Sequence, residues 1–392
     1  MMKHILFLCS SHGFEDGRVS QKEAVSLTRL GYKVSMCGQR AQWKYDHPVT
    51  MIDVDSGDVV PDWHNAGFPP VASRMTRIKR LSMLWKVAKR EKADLHVAHE
   101  FESACLAYLY KKIYKTPYVF DVHEGFDDNL YEDFEKFWHP LIRFVMGIFV
   151  RALVKNASGI TAASSANTFY EYAVKISKPH LVLHNAPFIE YFPFSEEEQK
   201  PILIVHEGAL GRVRGSKQIA EALCILAKTH NFRFMILGKI SSQESRKEFF
   251  DIIQAGGISD RVDDHGPMPW KEFGAIESTG QIGVICSQRH LNHYRSLANK
   301  LYNYMACGLA VLGMKDSEAE KIVNDCSSGI CVDTTKPEEI AKGLAYLIDH
   351  PDERRQFARN GRKAIEERYG WHCMQQHMNK FYGEILSKEL KK

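Results

Sequence analysis

The chain has 392 residues, 44% hydrophobic and 26% charged, with a formal net charge of +4, enough for two domains with separate cores and typical of a soluble globular protein. So small a basic excess, with no RNA- or DNA-binding signature beside it, argues against nucleic acid as a partner. No apolar run reaches the roughly 20 residues that span a bilayer, the N-terminus lacks the form of a signal peptide, and the nine cysteines make no CxxC pair or Cys/His cluster, which predicts a cytoplasmic, reducing location without structural zinc.

Ile5–Cys9 reads as a buried strand, followed by a loop Ser10–Gly17, a helix carrying Val19, Ala24, Leu27 and Leu30, and a second strand Tyr32–Cys37. This βαβ opening predicts a doubly wound sheet with ligands beyond the carboxyl ends of its strands. The loop lacks GxGxxG, which argues against a dinucleotide site. Gly13 and Arg18 suit a phosphate as well as they suit a tight turn and a solvated arginine. Residues 74–92 form a basic amphipathic helix with Ile78, Leu81, Leu84, Trp85 and Val87 on or near one face. Such a helix packs on its own sheet or lies on an anionic membrane surface, and membrane contact through residues 74–92 is one expectation. Asp94–Ala98 is a strand ending at His99-Glu100, and Pro117–Phe120 is a strand ending in Asp121-Val122-His123-Glu124-Gly125. A histidine between two carboxylates at a strand end has its tautomer and charge set by its neighbours, so His123 is a candidate for orienting or polarising a reacting group. The acidic stretch 127–135 reads as a surface loop, and Phe137–Lys155 as a buried or interfacial helix too interrupted to cross a membrane.

Gly159–Ala163 and Leu181–Leu183 are further strands, and the polar run Phe194–Lys200 predicts a linker. Domains of 1–193 and 194–370 follow, with 371–392 as a terminal helix. The second half restarts the pattern with the strand Ile202–Val205, the loop His206–Gly215 and a helix carrying Ile219, Leu223 and Leu226. Gly208 with Arg212, Arg214 and Lys217 suits phosphate there, because glycine lets the backbone approach while the cations neutralise charge. Tyr294–Gly313, YRSLANKLYNYMACGLAVLG, reads as loop, helix and strand. Ser296 is the expected N-cap, and the amides of Leu297, Ala298 and Asn299 would face an anion, making a diphosphate seat; the alternative is an ordinary capped helix.

With these residues in view, the chain resembles the GT-B glycosyltransferases of family 4 over most of its length. SLANKLYNYMACGLAVLG is similar to the family's nucleotide-sugar motif S-x-P-N-K-L-F-E-Y-M-A-x-G-x-P-V. FEDGRVSQKEAVSLTRLGYKV resembles its early D-x-R-V helix, FDVHE its catalytic-histidine segment, LVLHNAP the strand before its linker and HEGALGRVRG its phosphate loop. YGWHCMQQHMNKFYGEIL resembles the C-terminal helix that braces the first domain. The resemblance implies an α/β fold, GT-B, with two Rossmann-like doubly wound αβα domains facing across a cleft, acceptor on the first and donor on the second. It implies transfer of a sugar, with retention through front-face attack, from a nucleotide-sugar donor (UDP-, GDP- or other) to a hydroxyl of a carbohydrate or lipid-linked acceptor, on the inner face of the cell membrane. Catalysis would fall to His123 with Asp121 and Glu124; Gly13, Arg18 and His99 would line the acceptor side. Gly208, Arg212, Arg214, Lys217, Arg295, Ser296, Leu297, Ala298, Asn299, Lys300 and Asn303 would hold the donor. Cations and amides would stabilise the leaving diphosphate, so neither cofactor nor metal is expected. The family's paired glutamates are Arg295 and Asn303 here. Asn303 can still bond ribose hydroxyls, but Arg295 cannot accept from a sugar hydroxyl, so sugar recognition differs, or a neighbouring carboxylate such as Glu318 or Glu320 supplies it, or the chain binds without turnover. A same-fold nucleotide-sugar 2-epimerase and a non-catalytic partner subunit are the rival readings.

Overall fold

A computed structural model describes residues 2–14, 16–40, 48–60, 74–123, 138–196, 198–268, 270–288 and 297–389. Glu124, Arg295, Ser296 and the acidic stretch 127–135 lie outside these residues. The chain divides into two compact units, Met1–Leu183 with Met374–Lys392, and His184–Cys373.

Among the described residues the first unit holds seven strands: β1 (His4–Gly13), β2 (Lys33–Gln39), β3 (Thr50–Asp53), β4 (Leu95–Ala98), β5 (Tyr118–Val122), β6 (Gly159–Ala162) and β7 (His180–Val182). They run parallel in the order β3-β2-β1-β4-β5-β6-β7. A parallel sheet is covered on both faces, which is why Ile5 to Cys9 is apolar at every position and has no exposed surface. Its helices are α1 (Val25–Arg29), which continues a π-helical stretch Val19–Ala24, then α2 (Arg74–Glu91), α3 (Phe101–Tyr114), α4 (His139–Asn156) and α5 (Thr168–Lys175). Strand order reverses between β1 and β4, so the ends of these two strands, with β5 alongside, flank the crevice where ligands bind in such sheets.

The second unit repeats the plan with β8 (Ile202–Glu207), β9 (Phe232–Leu237), β10 (Val262–Gly266), β11 (Ile282–Val284), β12 (Ala310–Met314) and β13 (Gly329–Val332), ordered β10-β9-β8-β11-β12-β13. Its helices are α6 (Ser216–Leu226), α7 (Gln243–Ala255), α8 (Trp270–Glu277), α9 (Asn299–Cys307), α10 (Glu318–Cys326), α11 (Pro337–Asp349) and α12 (Pro351–Ala364). The reversal here falls between β8 and β11. The last helix, α13 (Trp371–Glu389), begins in the second unit and from Met374 belongs to the first.

The boundary falls ahead of the polar run that composition marks as the linker. Ala186 and Phe192 are buried in the second unit's core, and the Trp371 amide donates to the Pro187 carbonyl at 3.1 Å. The polar run itself is tied to α12, where Arg359 binds Glu196 and Arg354 binds Glu198. Linker composition locates solvated residues, but packing decides to which core they belong.

The return of α13 to the first unit depends on a missing side chain. A Cβ at Gly159, the first residue of β6, would lie 2.6 Å from Phe381 and 2.7 Å from Ile385. Both residues are buried against the sheet, together with Met378 and Tyr382. Gly159→Val is expected to destabilise the first unit by about 1–3 kcal/mol, read as a lower unfolding midpoint in urea.

Candidate functional site

In the first unit a buried polar cluster forms where β1, β4 and β5 end. Asp121, on β5, has no exposed side chain. Its Oδ1 accepts from Arg18 Nη2 and from Thr161 Oγ1, each at 2.6 Å. Its Oδ2 lies 3.0 Å from His99 Nδ1 and 2.6 Å from His123 Nε2. Arg18 Nη1 also reaches His123 Nδ1 at 3.4 Å. Because a guanidinium only donates, Nδ1 of His123 must accept, which leaves Nε2 carrying the proton toward Asp121. That is the neutral imidazole, and burial holds its pKa below the ordinary value while Asp121 opposes the shift. Burial pushes the Asp121 carboxyl up, but Arg18 and His123 outweigh it and hold Asp121 well below the carboxylate range.

Two features of this cluster escaped the sequence reading. The amides of Ser10, Ser11 and His12, where the register of β1 shifts, donate to the Glu100 carboxylate at 2.9, 2.8 and 3.1 Å. Burial would raise the Glu100 carboxyl, but His12 and these amides bring it to about 2. The backbone that a Gly13 phosphate cradle would use is therefore occupied by a side chain of the same unit. His12 itself pairs with Asp16 at 2.8 Å and lies over His123 with ring centroids 4.3 Å apart. Burial lowers the His12 imidazole, yet Asp16 outweighs it and raises the pKa to about 9. A cation thus lies against the His123 ring.

Arg18, expected on the acceptor side, is 4% exposed and binds Glu23 at 2.9 Å as well as Asp121. It orients the cluster from within. The ligand atoms of His99, Asp121 and His123 lie within 4.8 Å of one another, close enough to share a divalent ion. Arg18, 2.6 Å from the same carboxylate, and the protonated His12 place two positive charges beside that position and oppose one.

In the second unit the loop after β8 meets α9. Gly215 has φ +76°, and a Cβ there would lie 2.5 Å from the Cys286 carbonyl, so only glycine lets this loop close on the end of β11. Lys300, in the first turn of α9, is 7% exposed, with Nζ 3.3 Å from His206 Nε2. Burial lowers the Lys300 ammonium to about 8, with Arg214 adding to the shift and Glu207 and Glu277 opposing it. His206 is buried beside Lys300, and both hold it neutral, so its Nε2 accepts. Glu277, fully buried at the end of α8, is pushed well above the carboxylate range by burial and by Glu207, and keeps its proton. Asn303 donates to Glu207 Oε2 at 3.0 Å.

The structure brings Gly208, Arg214, Lys300 and Asn303 to one place, since the field of Arg214 reaches Lys300 and a Gly208 Cβ would lie 3.9 Å from Lys300 Nζ. It engages two expected partners elsewhere: Arg212 binds Glu244 and Glu248 on α7, and Lys217 faces Glu221 in its own helix. The N-cap of α9 is Ala298, not Ser296, so Leu297 precedes the helix and the first-turn amides are those of Asn299 and Lys300. Glu318 and Glu320 are held locally, by Lys321 and by the Asp316 amide. The carboxylate beside Asn303 comes instead from Glu207, in the HEG that ends β8, a signal visible in the sequence but not used.

The imidazole resonance of His12 is expected to titrate near pH 9 by NMR, and Asp16→Asn to bring it to or below the ordinary value of about 6.5. Because the folded pKa is the higher one, the stabilisation is complete below the unfolded value and is lost as pH rises through about 9. An Asp16→Asn variant with unchanged titration would remove the ion pair as the cause.

Residues 188–364 match the family model described as glycosyl transferases group 1, and residues 17–167 match glycosyltransferase family 4. An uncharacterized glycosyltransferase of Methanocaldococcus jannaschii is 26% identical over 91 residues, a match spanning only 23% of this chain and 23% of that protein. The alpha-D-kanosaminyltransferase of Streptomyces kanamyceticus is 20% identical over 78% of this chain and 82% of its own. Sucrose-phosphate synthase from Thermosynechococcus elongatus has a TM-score of 0.75 at 12% identity, covering 99% of this chain and 100% of its own. Anabaena Alr3699/HepE in complex with UDP-glucose has a TM-score of 0.69 at 14% identity, covering 98% and 100%. These structures share the two-domain GT-B fold with this chain. With the two family models taking in most of both units, the chain belongs to the family 4 glycosyltransferases.

Proposed function

We propose that the chain moves a sugar from a nucleoside diphosphate donor to a hydroxyl acceptor with retention at the anomeric carbon. The observation that carries this reading is the buried ammonium of Lys300 in the first turn of α9, within the field of Arg214 and among the first-turn amides. A diphosphate placed there meets two cations and oriented amides, and these stabilise it as it departs. The UDP-glucose complex of a protein with the same fold supports a nucleotide-sugar donor. His123 assists the transfer as a neutral imidazole whose orientation Asp121 and Arg18 set. The bond from the anomeric carbon to the diphosphate breaks, the bond to the acceptor oxygen forms on the same face, and the acceptor proton passes to the departing diphosphate. Lys300 and Arg214 supply the charge a metal would otherwise supply, so the reaction is metal-independent.

In a thermal-shift screen of UDP-, GDP-, ADP- and dTDP-sugars, the true donor at a hundred times its dissociation constant is expected to stabilise the protein by about 2.7 kcal/mol. Lys300→Ala should weaken that ligand about tenfold or more. His123→Ala should leave its binding unchanged while lowering turnover about a hundredfold. Full turnover by His123→Ala would remove that residue from the mechanism, and loss of turnover in EDTA, restored by a divalent ion, would remove the metal-independent reading.

A further inference from the structure

Helix α4 has two apolar faces. Inward, Val150, Leu153 and Val154 are buried in the core of the first unit. Outward, Leu141, Phe144, Val145 and Ile148 are 53%, 68%, 41% and 50% exposed. They recur at i, i+3, i+4 and i+7 and so form one stripe. None of these side chains has a hydrogen-bond donor or acceptor. The same stripe continues, at i+10 and i+14, into Arg151 and Lys155, both exposed. The helix contains no Asp or Glu, and among the described residues neither of these two cations is in an ion pair. Beside α4, in ring contact through Phe101 and Phe149, α3 exposes Leu109 and Ile113 next to Lys112 and Lys115.

Cations in the last turn would offset the carbonyl end of the helix dipole in any solvated helix. That accounts for Lys155 but not for the uncovered apolar residues ahead of it. A protein partner generally offers about one hydrogen bond per 100–200 Å² of interface, and the stripe has no group to receive them. Acyl chains ask for none, and lipid phosphates suit the basic end. Helix α2, the basic helix singled out by sequence, is the poorer surface because three of its arginines, Arg77, Arg80 and Arg90, are bound within the unit. Arg77 pairs with Glu102, Arg80 binds both oxygens of Asp55, and Arg90 donates to the Gly57 carbonyl.

We propose that α4 docks the protein on an anionic lipid bilayer. The helix lies along the interface, with Leu141, Phe144, Val145 and Ile148 at the acyl boundary and Arg151 and Lys155 on lipid phosphates. No helix among the described residues is long and apolar enough to cross a membrane, so α4 lies on the bilayer and does not span it. The docking does not depend on any donor or acceptor, so it stands or falls separately from the transferase reading.

Flotation of the full chain with phosphatidylcholine vesicles, with and without phosphatidylglycerol, tests this. The protein should float with the anionic vesicles at low salt and only weakly with the zwitterionic ones. F144E/I148E should lower partitioning about tenfold or more. R151Q/K155Q should abolish the preference for phosphatidylglycerol while keeping the residual apolar binding. Melting temperatures equal to that of the unmodified chain verify that both variants are folded, as substitution of exposed side chains allows. No flotation with anionic vesicles, or flotation that neither variant changes, overturns the proposal. So does a self-associated dimer in sedimentation velocity that F144E/I148E disperses, with no vesicle binding, since the occupant is then a second copy of the chain.

Discussion

Asp121 is a carboxylate sealed from solvent, and burying such a charge costs several kcal/mol unless partners surround it. Its partners come from four places in the chain: Arg18 at the start of the first helical segment, His99 after β4, Thr161 in β6 and His123 after β5. They converge only if β4, β5 and β6 keep their register, because each contributes a residue at or near its carboxyl end. Thr161 is paired directly with Asp121 across the sheet. The orientation and proton state of His123 are therefore consequences of strand order. A histidine held by a carboxylate alone would be driven toward the imidazolium. Here burial disfavours the charged ring, and His12 against its face and Arg18 on its other side add to that, so the imidazole stays neutral.

The second unit has the complementary arrangement, a buried cation facing partly neutralised acids. Lys300 has lost much of its water and holds its proton near pH 8 with the help of Glu207. An anion entering beside it would raise that affinity again, so the proposed diphosphate binding and protonation of Lys300 would reinforce one another. The same cluster gives a physical reason for the amide at 303. Burial, and then repulsion from Glu207, keeps Glu277 protonated. A third carboxylate at 303 would add to that repulsion, whereas the Asn303 amide donates a hydrogen bond to Glu207 and relieves it.

Charge in this protein is consequently a local quantity. A net +4 says little, while Arg18, Lys300, Arg80 and Arg151 are all basic and do different work. The first is an internal strut, the second is buried against His206, the third ties a helix to the turn after β3, and the fourth is in no ion pair among the described residues.

Alternating apolar strands and amphipathic helices, read from the sequence alone, determined the doubly wound plan of both halves, because buried parallel strands must be apolar at every position and their covering helices on one face. Strand-end logic likewise singled out His123 beside Asp121, since open α/β sheets present side chains at their carboxyl ends, and glycines with arginines between a strand and a helix marked the HEGALGRVRG loop. Tertiary structure alone decided how the charged residues pair. Nothing local separates Arg18, which is buried, from Arg212, which is bound on the surface to α7. Glu207 and Asn303 are 96 residues apart, and Glu100 reaches Ser10 across 90. Periodicity reports which face of an element is buried, but the pKa of a group depends on every charge within a few ångströms, and only the folded chain assembles that neighbourhood.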